Sequence, residues 1–165
     1  MIDLQLLEQA YDLTSDQVVQ FREDGFLKLP NVFDAATLQH FEPEISRLTF
    51  AHNHLDGMPM EERDTYSKAF IQVGNLWKKS ENARRLTFSK RLAGIATDLL
   101  GSSGVRLWHD QALYKEPSGG FTPWHADQQY WPMKSSLSVT AWIPLHAVPL
   151  EQGPLCFGRG SHRKR

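Results

Sequence analysis

His125 and Asp127 are the residues of this 165-residue chain whose types and spacing best suit chemistry. On a β-strand, side chains at positions i and i+2 point to the same face, so the imidazole and the carboxylate can converge on one ion at bonds of roughly 2 Å. An N,O pair of this kind suits iron, and a third ligand from elsewhere would complete a two-histidine, one-carboxylate face with three open positions. The alternative is a histidine at a strand end that hydrogen-bonds a neighbouring carboxylate and binds no metal.

Further motifs accompany the pair. Trp124 and Tyr130-Trp131-Pro132 flank it directly. The others read LTSDQ at 13–17, FREDGF at 21–26, KEP at 115–117, TAWIPL at 140–145 and GPLCFGRGSH at 153–162. Together these segments resemble the phytanoyl-CoA dioxygenase family of non-haem Fe(II)/2-oxoglutarate dioxygenases, and the resemblance runs through nearly the whole chain.

The resemblance implies an α+β fold in one domain. A helical front over residues 1–101 would precede the first part of an antiparallel double-stranded β-helix, the jelly-roll or cupin-like barrel, over 102–165. It also implies Fe(II) and the cosubstrate 2-oxoglutarate, with His125 and Asp127 at the positions of the first two iron ligands. In the family, the third histidine and an arginine that pairs with the distal carboxylate of 2-oxoglutarate come from later strands. Residues 1–165 contain neither position, so the chain looks truncated at its C-terminus, with the distal strands absent.

Three residues match positions that line the cosubstrate pocket in the family: Gln111, Trp142 and Gln72. Their expected role is to hydrogen-bond the oxygens of the keto acid and to exclude water. Packing in the barrel core is the alternative for Trp142, and an exposed polar residue is the alternative for Gln72. By the same resemblance, His162 lies in a turn where its ring satisfies backbone groups, so we do not expect it to be an iron ligand.

The activity that the resemblance implies is hydroxylation of a small organic or acyl substrate, with succinate and CO2 as co-products. A first alternative is a non-catalytic fragment or pseudo-enzyme that acts through association with a partner or another copy. A second is a zinc-dependent hydrolase built on His125, Asp127 and His162.

Helical periodicity and capping residues predict three helices in the front part of the chain. Thr14 and Gln17 have capping-box spacing, which together with a stop at Gly25 predicts a helix over about 15–24. Asp34 is expected to cap a second helix, in which an internal proline predicts a kink or a split. Ser89 begins a third helix, which ends at Gly101. The apolar positions of the second and third helices are Leu38, Phe41, Ile45 and Leu48, then Leu92, Ile95, Ala96 and Leu99.

The remaining segments lack helical periodicity. Residues 51–80 show no steady pattern and are predicted to form a long, partly irregular surface excursion. A brief strand is predicted at 26–29. Beyond residue 101, β-rich runs separated by Gly, Pro and Ser clusters predict antiparallel strands at 105–114, 121–130, 137–145 and 154–157.

Composition and charge indicate a single globular domain that acts on small molecules. Hydrophobic residues make up 41% of the chain and charged residues 22%, which argues against disorder. A formal net charge of −1 gives no electrostatic reason to expect a nucleic acid or a membrane surface as partner, whereas an oligomer is compatible with it. Cys156 is the only cysteine, and the N-terminus lacks a secretory pattern, so we expect a cytoplasmic location.

Overall fold

The computed structural model describes residues 4–163, which form an α+β structure. Its helices are α1 (Ser15–Asp24), α2 (Ala35–Ala51), α3 (Thr65–Ala69), α4 (Glu81–Thr87) and α5 (Lys90–Leu100), and its strands are β1 (Ile71–Gly74) and β2 (Gln111–Tyr114). Short 3₁₀ turns lie at Leu4–Glu8, Met60–Glu62, Leu76–Lys78, Asp127–Gln129, Leu150–Gln152 and Ser161–Arg163. Within 4–163, no helix has the length and apolar character needed to cross a membrane.

The three helices predicted from capping residues are confirmed. The Thr14 side chain accepts a hydrogen bond from the Gln17 amide, and the Gln17 side chain accepts one from the Thr14 amide, which completes the capping box of α1. Asp34 caps α2 through the Thr37 amide at 2.7 Å. Ser89 and Gly101 bound α5, and Gly101 adopts the left-handed conformation that usually ends a helix.

Helix α2 continues through Pro43 without the predicted split. Proline removes one hydrogen-bond donor from a helix interior. The core compensates here, because Phe41 and Leu48 on either side of the proline are 0% and 3% exposed. Packing of the apolar face therefore outweighs the lost bond.

Strands β1 and β2 form an antiparallel pair on top of α2 and α4. Ile71 lies opposite Tyr114, and Gly74 lies opposite Gln111. Ile71 and Val73 face the core, which has two apolar clusters that both touch Ile45 of α2. The opposite face of the pair carries Gln72 and Gln111, and this is the face on which the candidate site lies.

Residues 51–80 are not the surface excursion that the sequence predicted. They contain α3 and β1 and bury six apolar side chains. The elements are only four or five residues long, too short to show a period, so their burial was set by tertiary contacts. The buried residues are Leu55, Ala69, Phe70, Ile71, Val73 and Leu76.

Most of the predicted strands are absent from the described residues. Of the run 105–114 only Gln111–Tyr114 is a strand, and 26–29, 121–130, 137–145 and 154–157 are not strands. A β-rich sequence becomes a strand only where a neighbouring backbone supplies hydrogen bonds. Within residues 4–163 the sheet consists of β1 and β2, and no further backbone pairs with these runs.

The segment 157–163 packs against the C-terminal end of α1. The Gly160 amide donates to the Asp24 carbonyl at 2.8 Å, and Arg159 Nε lies 3.2 Å from the Asp24 carboxylate. The rings of Phe26 and Phe157 stack with centroids 4.8 Å apart. The last described residues are thereby joined to the first α-helix.

Candidate functional site

His125 and Asp127 converge in the structure, although neither lies in a strand. Nε2 of His125 is 3.3 Å from Oδ1 of Asp127. The intervening Ala126 is extended, with φ −118° and ψ 126°, and Asp127 opens a 3₁₀ turn. One extended residue is enough to place side chains i and i+2 on the same side. The spacing therefore brings the pair together as predicted, while the predicted strand around it is wrong.

Neighbouring groups fix the direction of both side chains. Nδ1 of His125 lies 2.8 Å from the carbonyl oxygen of Pro123. Because a carbonyl can only accept, Nδ1 carries the proton, and in the neutral ring Nε2 is left with a lone pair. Thr140 Oγ1 donates to Oδ2 of Asp127 at 3.0 Å, which leaves Oδ1 turned towards His125.

The pair fits a metal ion. Two atoms that both carry lone pairs and lie 3.3 Å apart are stabilised by a positive charge, either a second proton on His125 or a cation. Neighbouring ligands at bonds of about 2.1 Å stand roughly 3 Å apart, so the spacing suits two adjacent positions on one ion. The donor set of one imidazole and one carboxylate suits Fe(II). Both side chains are partly exposed, so an ion from solution can reach them.

The described residues do not supply a third ligand. No group of three or more His, Cys, Asp or Glu side chains that could hold a metal occurs within 4–163. His162 instead donates from Nε2 to the Arg22 carbonyl at 3.1 Å, at the end of α1. The prediction that His162 satisfies a backbone group is confirmed, and the zinc site that would combine it with His125 and Asp127 is wrong.

Gln72 and Gln111 are brought together on one face of the strand pair. Gln72 lies opposite Leu113, so Gln111 is its diagonal neighbour, and the Gln72 amide nitrogen donates to Oε1 of Gln111. Tyr66 on α3 extends this contact, because its hydroxyl donates to Oε1 of Gln72 at 2.9 Å. We call Tyr66, Gln72 and Gln111 the polar row.

The polar row faces the segment that carries the candidate ligands. The Asp110 side chain turns to the core side, where it accepts hydrogen bonds from the Trp77 amide and the Thr87 hydroxyl. Gln111 therefore lies on the opposite face. His109, two residues before it, makes an edge contact with Trp131, and their ring centroids are 6.5 Å apart.

The electrostatics of Tyr66 agree with this placement. The pKa of Tyr66 is raised above its ordinary value, mainly by partial burial and in smaller part by nearby acidic groups, which include the Asp127 carboxylate. This influence of the Asp127 carboxylate on Tyr66 accompanies the contact between His109 and Trp131, and both indicate that the pair lies on the same side of the strand pair as the polar row.

Trp142 is not brought into contact with the other candidates. Its residue surface is 43% exposed, and no hydrogen bond or ring contact joins it to the pair or the polar row in the part of the chain that is described. Ile143 packs against the core, whereas Thr140 reaches Asp127. If the alternation of an extended run holds here, Trp142 lies on the same side as Thr140.

Tyr66 and Thr140 are site residues that the sequence did not reveal. Thr140 belongs to the TAWIPL motif, but nothing in its spacing identified its partner. Tyr66 lies in the region without a period, and its only local signal is the cap of α3, where Asp64 accepts from the Ser67 amide at 2.7 Å. Thr140 was placed by a contact with a residue 13 positions away, and Tyr66 by the turn from α3 into β1, which brings it to Gln72 six positions on.

Comparison with known proteins identifies the family of this chain. The sequence profile of the family Phytanoyl-CoA dioxygenase (PhyH) matches residues 21–165. An ectoine dioxygenase of Stutzerimonas stutzeri is 28% identical over 95% of this chain and 53% of its own length. An ectoine dioxygenase of Bordetella bronchiseptica is 30% identical over 92% of this chain and 50% of its own length. The human peroxisomal phytanoyl-CoA dioxygenase is 24% identical over 92% of this chain and 48% of its own length. No solved structure matches at a significant level.

The chain belongs to the phytanoyl-CoA dioxygenase family, as the motifs predicted. It spans about half the length of the curated relatives it matches. The match covers the candidate ligand pair and the polar row alike, so both lie inside the family domain.

Proposed function

We propose that this chain carries part of an Fe(II)- and 2-oxoglutarate-dependent dioxygenase that hydroxylates a small organic or acyl substrate and releases succinate and CO2. The observation that carries the proposal is the approach of His125 Nε2 to Asp127 Oδ1 at 3.3 Å, with the other polar atom of each side chain already bonded. Family membership supports it, and so do the named activities of the relatives.

The proposed roles combine the geometry of the ligand pair with the positions that the family resemblance assigns. His125 and Asp127 would hold Fe(II), which supplies the activation of oxygen when it is bound. Thr140 and the Pro123 carbonyl orient the two ligands, and such outer contacts typically change metal affinity 10–100-fold. Gln111 and Gln72 would bind 2-oxoglutarate, with Trp142 as a wall of the same pocket.

The proposed complete fold is a double-stranded β-helix. The third histidine and the arginine that binds 2-oxoglutarate would come from strands outside residues 1–165, and those strands would also pair with the β-rich runs that lack neighbours within 4–163. We propose a class of substrate and no single compound, because the relatives are named for two different substrates.

Anaerobic titration with Fe(II) tests the metal site. We expect weak binding, because two protein ligands leave most positions of the ion to water, and we expect His125→Ala and Asp127→Ala each to abolish it. Thr140→Val should weaken binding roughly 10-fold, because the carboxylate loses its orienting bond.

His146→Ala is the matched control for this titration. His146 is also exposed, and its Nδ1 also lies 2.8 Å from a backbone carbonyl, that of Ala147, so the variant removes a comparable imidazole from elsewhere. Iron binding should be unchanged in it. Tight stoichiometric iron that survives both ligand substitutions would show that the site is elsewhere.

A second candidate function, association with a partner or another copy, is favoured by the exposed apolar side chains of residues 105–157. Exposed apolar side chains grouped in one part of a chain often mark an interaction surface. The most exposed are Leu150 (83%), Trp124 (78%), Phe121 (76%), Tyr130 (70%) and Leu137 (65%).

We therefore expect the 165-residue chain to self-associate. Light scattering coupled to size-exclusion chromatography should give a mass above 18.9 kDa that rises with concentration. Phe121→Ser with Leu150→Ser should lower it, whereas Val19→Ser, at a 51% exposed position of α1, should not. A chain that stays monomeric at every concentration would argue against this function.

A further inference from the structure

The hydrogen bonds of the polar row have a direction. The Tyr66 hydroxyl donates to Oε1 of Gln72, so the Gln72 amide nitrogen points the other way and donates to Oε1 of Gln111. The Gln111 amide nitrogen is then left at the far end with its N–H groups directed onwards, and Gln111 is exposed. The row begins at a hydroxyl donor and ends in amide donors.

Helix α3 holds Tyr66 firmly enough to set this direction. Before the helix, the buried Arg63 forms an ion pair with Glu116, which follows β2. At its end, the Gly120 amide donates to the Lys68 carbonyl at 2.6 Å. Asp64 caps the first turn, and hydrogen bonds from Ser67 hold the pKa of that carboxyl below its usual value. Both ends of the helix are thus attached to the loop that follows β2, the strand that carries Gln111.

We propose that Tyr66 is a positioning residue for the cosubstrate: its hydroxyl orients Gln72, which orients Gln111 so that amide donors face a carboxylate or keto oxygen bound beside His125 and Asp127. This inference rests on the proposed function and deepens it, because it gives a role in cosubstrate binding to Tyr66, the hydroxyl donor at the start of the row, which lies outside the motifs.

The physical reason lies in the two faces of a side-chain amide. A glutamine can present either its oxygen or its nitrogen, and an anionic ligand accepts only from the nitrogen. Without a donor at the start of the row, both glutamines are free to turn over, and the oxygen of Gln111 would then face the anion. One hydroxyl therefore determines whether the end of the row attracts or repels a carboxylate.

Tyr66→Phe tests the inference, because it removes the hydroxyl and keeps the ring that makes an edge contact with Phe70. The chain is fused for this test to the distal segment of a full-length relative, which supplies the third histidine and the arginine. Calorimetric titration of 2-oxoglutarate into the Fe(II)-loaded fusion without oxygen should show binding weakened about 3–10-fold, the usual range for one hydrogen bond, with Fe(II) affinity unchanged. Tyr114→Phe is the matched control, since Tyr114 lies on the opposite face of the same strand pair.

Two further measurements separate positioning from a merely structural role. The side-chain amide resonances of Gln72 and Gln111 in a nitrogen–proton spectrum should shift in Tyr66→Phe and stay in place in Tyr114→Phe, with or without ligand. In a Gln72→Ala background, Tyr66→Phe should have no further effect on 2-oxoglutarate binding, because the hydrogen bonds through Gln72 that link Tyr66 to Gln111 are already absent.

The outcomes are distinct. Unchanged 2-oxoglutarate binding in Tyr66→Phe, or full additivity with Gln72→Ala, overturns the role of Tyr66 and leaves the proposed function standing. Absence of 2-oxoglutarate binding even when the distal segment of a relative supplies the third histidine and the arginine overturns the proposed function, and with it the ligand assigned to the row. A weakened, non-additive effect with shifted amide resonances supports the inference.

Discussion

We expect 2-oxoglutarate to be converted to succinate by a fusion of this chain to the distal segment of a full-length relative, and not by the 165 residues alone. The pair His125 and Asp127 supplies two ligands, and no third is available among residues 4–163. By family resemblance, the added segment carries the missing histidine and the arginine for the distal carboxylate. The relatives are about twice as long as the matched region, which leaves about half of each outside the match.

The increase in succinate formation should be large, because the fusion assembles one site from two incomplete parts. We expect Fe(II)-dependent succinate formation at least about 100-fold above the short chain, even without substrate, together with less self-association as exposed apolar side chains are covered. The matched control is the same fusion with Asp127→Ala, which should return to the background. A short chain that turns over as fast as the fusion would show that residues present here complete the site.

Replacing Gly25 with alanine is expected to produce the largest loss of stability. Gly25 ends α1 with φ +84°, where an L side chain costs roughly 1–2 kcal/mol. A Cβ atom there would overlap Nδ1 of His162 and lie 2.7 Å from its Cγ. His162 would have to leave the Arg22 carbonyl, at a further cost of about 1 kcal/mol. Denaturant unfolding should show a total loss of roughly 2–3 kcal/mol.

Two comparison variants isolate the contact with His162. Gly101→Ala has a similar φ of +61°, but its nearest neighbour is the flexible end of Arg22 at 3.1 Å, so only the backbone cost of about 1–2 kcal/mol should appear. His162→Ala removes the overlapping ring, so Gly25→Ala in that background should cost less than it does alone. Equal losses in the two backgrounds would mean that the 157–163 segment does not pack on α1 in solution.

Sequence reasoning succeeded where local physics decides the outcome. The capping box of α1, the Asp34 cap of α2 and the Ser89 to Gly101 limits of α5 each depend on residues within a few positions of one another. The approach of His125 to Asp127 belongs to the same group, because a single extended residue between them is sufficient. Family membership also followed from the motifs alone.

Other features could be seen only in the tertiary structure, because they depend on partners far away in the chain. The β-rich runs after residue 114 do not form strands, since strands need neighbouring backbone and the described chain pairs only β1 with β2. Burial of β1 within the region predicted as a surface excursion depends on α2 and α4 beneath it.

The candidate site likewise contains features that the sequence determines locally and features that only the tertiary structure determines. Types and spacing determined the candidate ligands, because two side chains of defined chemistry two residues apart can be recognised locally, whereas the two glutamines came from the resemblance to the family. Only the fold placed Tyr66 beside Gln72, Thr140 beside Asp127, and His162 at the end of α1 rather than at the metal pair. The reason is physical: a hydrogen bond needs two groups within about 3 Å, and only packing determines which distant residues come that close.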